Sequence, residues 1–254
     1  MKDVKSDSAP SDLHDENYQT LYDMRERHFR KEDTSLINKL QNPLVYMTRQ
    51  DVAKLTCYID ILRATENVAG SILECGVFYG NGLMAWAKAA AAFEPYNYNC
   101  KVIGFDTFEG NLGVSEADSS SVSGIHKHDG GYHADTKESL EEAISIFDMD
   151  RPLNQFQKVE LVKGDIRKTA AEYVEKNQHL VVRILSLSLN LFDPCRAALR
   201  TFVPRMPKDS VIVLFSLNQD IYPGVTLSVL EELGFQNVKA HTPHIYPQMS
   251  YIQL

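Results

Sequence analysis

Glu74, Gly76, Gly80 and Gly82 fall within one dozen-residue stretch, SILECGVFYGNG, running from Ser71 to Gly82. Glycines at this density let backbone approach a ligand closely, and a helix opening directly behind them adds unpaired N–H groups at its N-terminus. The pattern makes a nucleotide cradle. Gly76, Gly80 and Gly82 are spaced G-x-x-x-G-x-G, whereas a dinucleotide site needs G-x-G-x-x-G to seat a pyrophosphate on the helix. The carboxylate of Glu74 at the cradle repels a pyrophosphate and suits a ligand carrying an ammonium group and ribose hydroxyls. S-adenosylmethionine has both. A tight strand-to-helix turn with no ligand would leave the same glycines.

Two further groups of residues could do chemistry. In KVIGFDTFEG an apolar run ends at Asp106, with Glu109 three residues on; a carboxylate at the end of a second strand accepts hydrogen bonds from ribose hydroxyls, or simply closes an Asx-turn. Residues 111 to 135 have no periodicity and hold His126, His128 and His133 beside Asp129 and Tyr132. A loop this long is usually functional or disordered, and histidine titrates near neutrality, so these three are candidates for a general base or for substrate binding.

The elements that must position these residues follow from periodicity. Residues 1 to about 16 are rich in Ser, Asp and Lys and predict a loose tail. A helix with one apolar side follows at Tyr18, Leu21, Tyr22 and Met24, and a second runs from Arg49 to about Asn67 through Val52, Leu55, Ile59, Leu62 and Ala64. Beyond the cradle and its helix, LMAWAKAAAAF, strands and helices alternate: VELVKGD, LVVRILSLSL and VIVLFSL are strands. NVKAH and MSYIQL then follow with no helix between them and predict an antiparallel edge hairpin. The fold class is α/β, a doubly wound, mainly parallel Rossmann-like sheet of the class I methyltransferase kind. The expected domains are residues 1–45, a tail and helical arm, and residues 46–254, the ligand-binding domain.

Composition narrows the partners. At 254 residues with a net charge of −8 and no basic cluster, the chain is suited to a small-molecule substrate and not to nucleic acid or an anionic membrane surface. No stretch has the ~18 apolar residues of a membrane span and the first residues carry no apolar signal core, which predicts a cytoplasmic protein. Cys57, Cys75, Cys100 and Cys195 are scattered, with no metal spacing or disulfide framework. Tyr18 and Tyr22 on an otherwise charged segment suit packing on a neighbour, which predicts a homodimer.

The ordered set ECGVFYGNG, IGFDTFEG, VKGD, LNLFDPCRAAL and YPG resembles the macrocin O-methyltransferase family over roughly residues 45 to 254. Members of that family methylate sugar hydroxyls of antibiotics with S-adenosylmethionine and magnesium. The resemblance implies a cofactor site made by Glu74, Gly76, Gly80, Gly82, Asp106, Thr107, Phe108, Gly164 and Asp165, with Asp106 on the ribose and Asp165 near the adenine. Tyr132 would be a ring covering the ligand.

The family's metal ligands have no counterpart here. Its His-x-Asp-x-Asp on the fourth strand aligns with Ser186, Ser188 and Asn190, and its acidic pair on the fifth with Phe215 and Ser216. Magnesium needs anionic oxygens to offset its dehydration, so no metal site is expected, and Asp193 before Pro194 is read as a helix cap. An alkyl hydroxyl must still lose a proton as it attacks a sulfonium methyl, which leaves the loop histidines as bases, with Ser188 and Asn190 lining the pocket floor. Two alternatives stay open: an enzyme of the same fold with a different reaction, and a non-catalytic binding subunit.

Overall fold

The apolar runs form one seven-stranded sheet in the order β3-β2-β1-β4-β5-β7-β6, where β1 is Ser71–Cys75, β2 Val102–Asp106, β3 Val159–Lys163, β4 Val182–Leu187, β5 Val211–Leu214, β6 Lys239–His241 and β7 Ser250–Gln253. The first five strands pair in parallel; β7 runs antiparallel between β5 and β6. This computed structural model describes residues 16–31, 33–121 and 126–254, with side chains from residue 20 onward. Residues 1–15 of the expected tail and the side chain of Tyr18 lie outside the described residues.

Alternation along each strand divides the core into two layers. Ile72, Val102, Ile184 and Val213 face one layer with Tyr58, Leu83 and Trp86. Leu73, Ile103, Leu185 and Ile212 face the other with Ala170, Leu199 and Val229. The first layer is covered by helices α3 (Arg49–Ala64), α4 (Asn81–Phe93) and α5 (Lys137–Asp150); the second by α6 (Ile166–Lys176), α7 (Phe192–Phe202) and α8 (Pro223–Glu232). Period two therefore puts Glu74 on the same side as Ile72, facing Trp86, and its neighbour across the β1–β4 ladder is Ser186. The chain enters this layer through α3, whose first turn is fixed by a capping box between Thr48 and Asp51.

The buried face of α3 differs from the one its apolar spacing suggests. Val52 and Leu55 are 42% and 38% exposed and Ala64 is exposed, whereas Cys57, Tyr58, Ile61 and Leu62 are buried. The stripe that packs is chosen by Tyr58, whose ring meets the edge of Trp86 at 4.5 Å and 85°. Lys54, one turn before Tyr58, shares that inward stripe.

Ahead of α3, α1 (Glu16–Arg30) and α2 (Leu36–Gln41) form the arm. Arg25 ties α1 to the domain through the carbonyl of Tyr46 and the carboxylate of Asp51. Tyr22 is half-buried, with the Arg25 guanidinium over its ring. Among the described residues no helix is long and apolar enough to cross a membrane.

Candidate active site

β1 pairs with β2 on one side and β4 on the other, so the chain order reverses at β1 and a crevice opens at the carboxyl ends of these strands. A cavity of about 310 Å³ lies there, running from Asp165 after β3 to Phe215 after β5. Gly76 begins the cradle at φ 89°, where an added Cβ would press on the carbonyl of Ser188, 2.7 Å away. Gly82 also lines the cavity, and a Cβ there would run into the Glu74 carboxylate and the Tyr58 hydroxyl. Gly80 caps α4 and faces Leu140 outside the cavity lining.

Glu74 is 2% exposed and lines the cavity. Its Oε2 accepts from Trp86 Nε1 at 3.0 Å and its Oε1 from Ser188 Oγ at 2.8 Å. Burial pushes its pKa up, opposed by the nearby hydroxyls of Ser186 and Ser188, by the Lys54 ammonium and by the Trp86 indole. Ser186 Oγ is adjacent, and it and Tyr58 Oη are buried without a hydrogen-bond partner among the described residues.

Asp106 is committed to the backbone. Its Oδ2 accepts from the N–H groups of Val77 and Phe78 at 2.6 and 2.9 Å, and its Oδ1 from that of Phe108 at 2.7 Å. It lines the cavity and clamps the cradle to the β2 turn, with three of its roughly four acceptor sites taken by the backbone. Thr107 closes the same turn by donating to the Gly110 carbonyl at 2.7 Å. Phe108, expected at the cofactor, packs instead in the core, because φ 55° turns its ring inward. Glu109, the other ribose candidate, points outward to an ion pair with Lys163 at 3.2 Å.

Gly164 and Asp165 line the far end. Asp165 caps α6 and is held by Arg167, whose hydrogen bonds keep the carboxyl below its usual range. Tyr132 lines the cavity, edge-on to Phe78, with its hydroxyl 2.8 Å from that of Tyr222. Burial and that hydrogen bond drive its pKa up.

The three histidines separate. The ring of His126 packs on that of Tyr132 at 4.6 Å between centroids. His128 is exposed and bonded to the carbonyl of Asp129, and His133 is exposed; none of the three lines the cavity. Part of their loop is well anchored. Asp118, 1% exposed, accepts from the N–H of Phe192 at 2.7 Å and so caps α7 from seventy-four residues away. Asp193, expected to be that cap, lies within the first turn and pairs with Arg196.

At the β4 and β5 ends, Ser188, Asn190 and Phe215 line the cavity. Ser216 Oγ donates to Asn190 Oδ1 at 2.9 Å. Among the described residues no three His, Cys, Asp or Glu side chains gather to hold a metal ion. The donors present are neutral, and a hard divalent cation does not fit them. Lys54 reaches the same strand end, its Nζ 4.9 Å from the centroid of the Phe215 ring. Burial lowers the pKa of Lys54, while Glu74 and Asp51 raise it. Lys54 and Tyr58 carried no motif, and only their shared position on one face of α3 could have drawn attention to them.

No protein-family model matches the chain, and no curated protein does. Among solved structures, the calicheamicin methyltransferase CalS11 superposes with a TM-score of 0.90 at 23% identity, over 95% of this chain and 94% of that one. An apo structure of CalS11, described as a TDP-rhamnose 3'-O-methyltransferase of calicheamicin biosynthesis, gives 0.82 at 23% identity, over 95% and 96%. The O-methyltransferase NovP gives 0.61 at 15%, over 80% and 79%. At these identities the likeness is one of fold: the sheet is that of a class I methyltransferase.

Proposed function

We propose that this chain is an S-adenosylmethionine-dependent methyltransferase that O-methylates a small-molecule specialised metabolite without a divalent metal. The observation that carries the reading is the convergence of Glu74, Gly76, Asp106, Gly164 and Asp165 on one cavity at the switch point of a class I methyltransferase sheet. When bound, the sulfonium donor supplies an already activated methyl group, so the protein chiefly aligns the acceptor and excludes water. In this reading Asp106 holds the ribose, Asp165 lies at the adenine, Glu74 takes the ammonium, and Tyr132 covers the ligand. Ser188 and Asn190 hold the acceptor hydroxyl by hydrogen bonds. Because none of the loop histidines lines the cavity, its proton passes by way of water to His126, whose ring packs on that of Tyr132 at the cavity wall.

The neutral donors at the β4 and β5 ends and the Lys54 ammonium support metal independence. CalS11 acts on a hydroxyl of a nucleotide sugar, and we extend that class to the acceptor here, with phenols as the second choice because they ionise more readily. Four buried, unpaired cysteines suit the reducing cytoplasm. Leu36, Leu40 and Leu44, each at least 70% exposed on and beside α2, suit burial against a second copy, and light scattering giving a monomer mass would contradict a homodimer. The activity test is release of S-adenosylhomocysteine from S-adenosylmethionine with a panel of TDP-sugars and phenols in excess EDTA. Turnover in EDTA supports the reading; a loss that magnesium restores overturns its metal-free part.

A further inference from the structure

The deep polar end of the cavity holds two opposite charges that do not pair with one another. Glu74 approaches from β1 and Lys54 from α3, and both line the same space. They are near enough to shift each other's titration. Among the described residues, however, no carboxylate lies within ion-pair distance of Lys54 Nζ, whose contacts are the rings of Phe215 and Tyr58 at 4.9 and 5.9 Å. Buried polar atoms are as a rule hydrogen-bonded. Here Tyr58 Oη has no hydrogen-bond partner among the described residues, and Ser186 Oγ, near enough to Glu74 to lower its pKa, makes no hydrogen bond of normal geometry.

A cation and an anion separated in this way, with spare hydroxyls between helix and strand, match a ligand end that carries one charge of each sign on neighbouring atoms. An α-amino acid is such a group. We propose that Lys54 and Glu74 form an α-amino-acid subsite, in which the Lys54 ammonium binds the carboxylate of the methyl donor's methionine end and Glu74 binds its ammonium. This rests on the cavity being a methyl-donor site. It goes further by assigning Lys54 a binding role and by explaining why a half-buried lysine lines the cavity with no protein carboxylate within ion-pair distance. It also accounts for the neutral β4 and β5 ends: a lysine ammonium over Phe215 repels a divalent cation from the place where carboxylates would otherwise attract one.

The test needs no acceptor. S-adenosylmethionine and decarboxylated S-adenosylmethionine, which keeps the ammonium and lacks the carboxylate, are titrated calorimetrically into wild type, Lys54→Met and Glu74→Gln. Wild type is expected to prefer the intact ligand by about tenfold to a hundredfold, the worth of one partly buried charge-assisted contact. Lys54→Met should lose that preference while binding the decarboxylated ligand as tightly as wild type, which also shows that the adenosine end is intact. Glu74→Gln should weaken both ligands alike. Equal weakening of both ligands by Lys54→Met, no weakening of either, or no wild-type preference for the carboxylate overturns the assignment. If wild type binds neither ligand at millimolar concentration, the methyl-donor reading itself fails and the subsite fails with it.

Discussion

The two halves of the cavity are built on opposite principles. At the ends of β2 and β3 the cavity-facing carboxylates are tied down: Asp106 by three backbone N–H groups, Asp165 by its helix N-terminus and Arg167. Where β1 adjoins β4 and β5, the buried Glu74 carboxylate is met by neutral side chains, a cation reaches in from α3, and two hydroxyls beside Glu74, those of Tyr58 and Ser186, are unpaired among the described residues. A carboxylate held by backbone is part of the scaffold and must be present before any ligand arrives. A half built from unpaired groups depends on its ligand to satisfy it. The first half therefore couples binding to stability, and the second sets binding against stability.

Asp106→Ala should give the largest effect. It leaves the N–H groups of Val77, Phe78 and Phe108 without their acceptor, each bond worth about 0.5–1.5 kcal/mol when part-buried. Denaturant melts should show a loss of about 2–4 kcal/mol, and calorimetry should show loss of S-adenosylmethionine binding. A variant that keeps both would remove the coupling claimed for this half.

Glu74→Gln should act with the opposite sign on stability. Burial raises the Glu74 pKa in the folded state, so its ionised form is a burden above that raised value, and wild type gains relative stability as pH falls through it. The glutamine variant should melt at a higher temperature than wild type at pH 7, and the difference should shrink on acidification. Its affinity for S-adenosylmethionine should fall by about tenfold. A lower melting temperature at pH 7 would mean that the buried carboxylate stabilises the unliganded protein, against the contrast drawn here.

Ser188→Asp with Asn190→Asp should sharpen the comparison from the other side, creating at most a weak manganese site detectable by electron paramagnetic resonance, because the Lys54 ammonium remains. Tight binding by the double variant would show that the strand ends alone decide metal choice. Asp165→Asn should do least. Asparagine still caps α6, and the Arg167 pair is partly solvated, so the expected change is within about 1 kcal/mol. The Asp165 pKa is lowered in the folded state, so what stability it adds is present above the ordinary carboxylate range and lost as pH falls through the lowered value.

Much of this architecture was legible in the sequence because strands and glycine turns are local. The sheet, the cradle and the acidic strand ends needed only apolar runs closed by Glu74, Asp106 and Asp165. Contacts between distant segments were not legible. The face of α3 turned on Tyr58 meeting Trp86, a contact between two helices, and the spacing of Val52 and Leu55 gave no hint of it. Misreading that face hid Lys54, since a lysine counts as solvent-facing until the stripe it shares is known. The cap of α7 by Asp118 was hidden for the same reason, and Asp193 took its place because it was the carboxylate next in sequence. Phe108 was assigned to the ligand by its neighbours in the motif, and a left-handed backbone at that one residue turned it into the core.

The central claim is a methyl-donor site that needs no metal, and calorimetric titration of S-adenosylmethionine into the wild-type chain, once in excess EDTA and once in millimolar Mg²⁺, tests it most directly. The account predicts saturable one-to-one binding in both, with dissociation constants agreeing within about twofold, well inside the tenfold step of ~1.4 kcal/mol. Binding that appears only with magnesium, or no binding in either buffer at millimolar ligand, would contradict it.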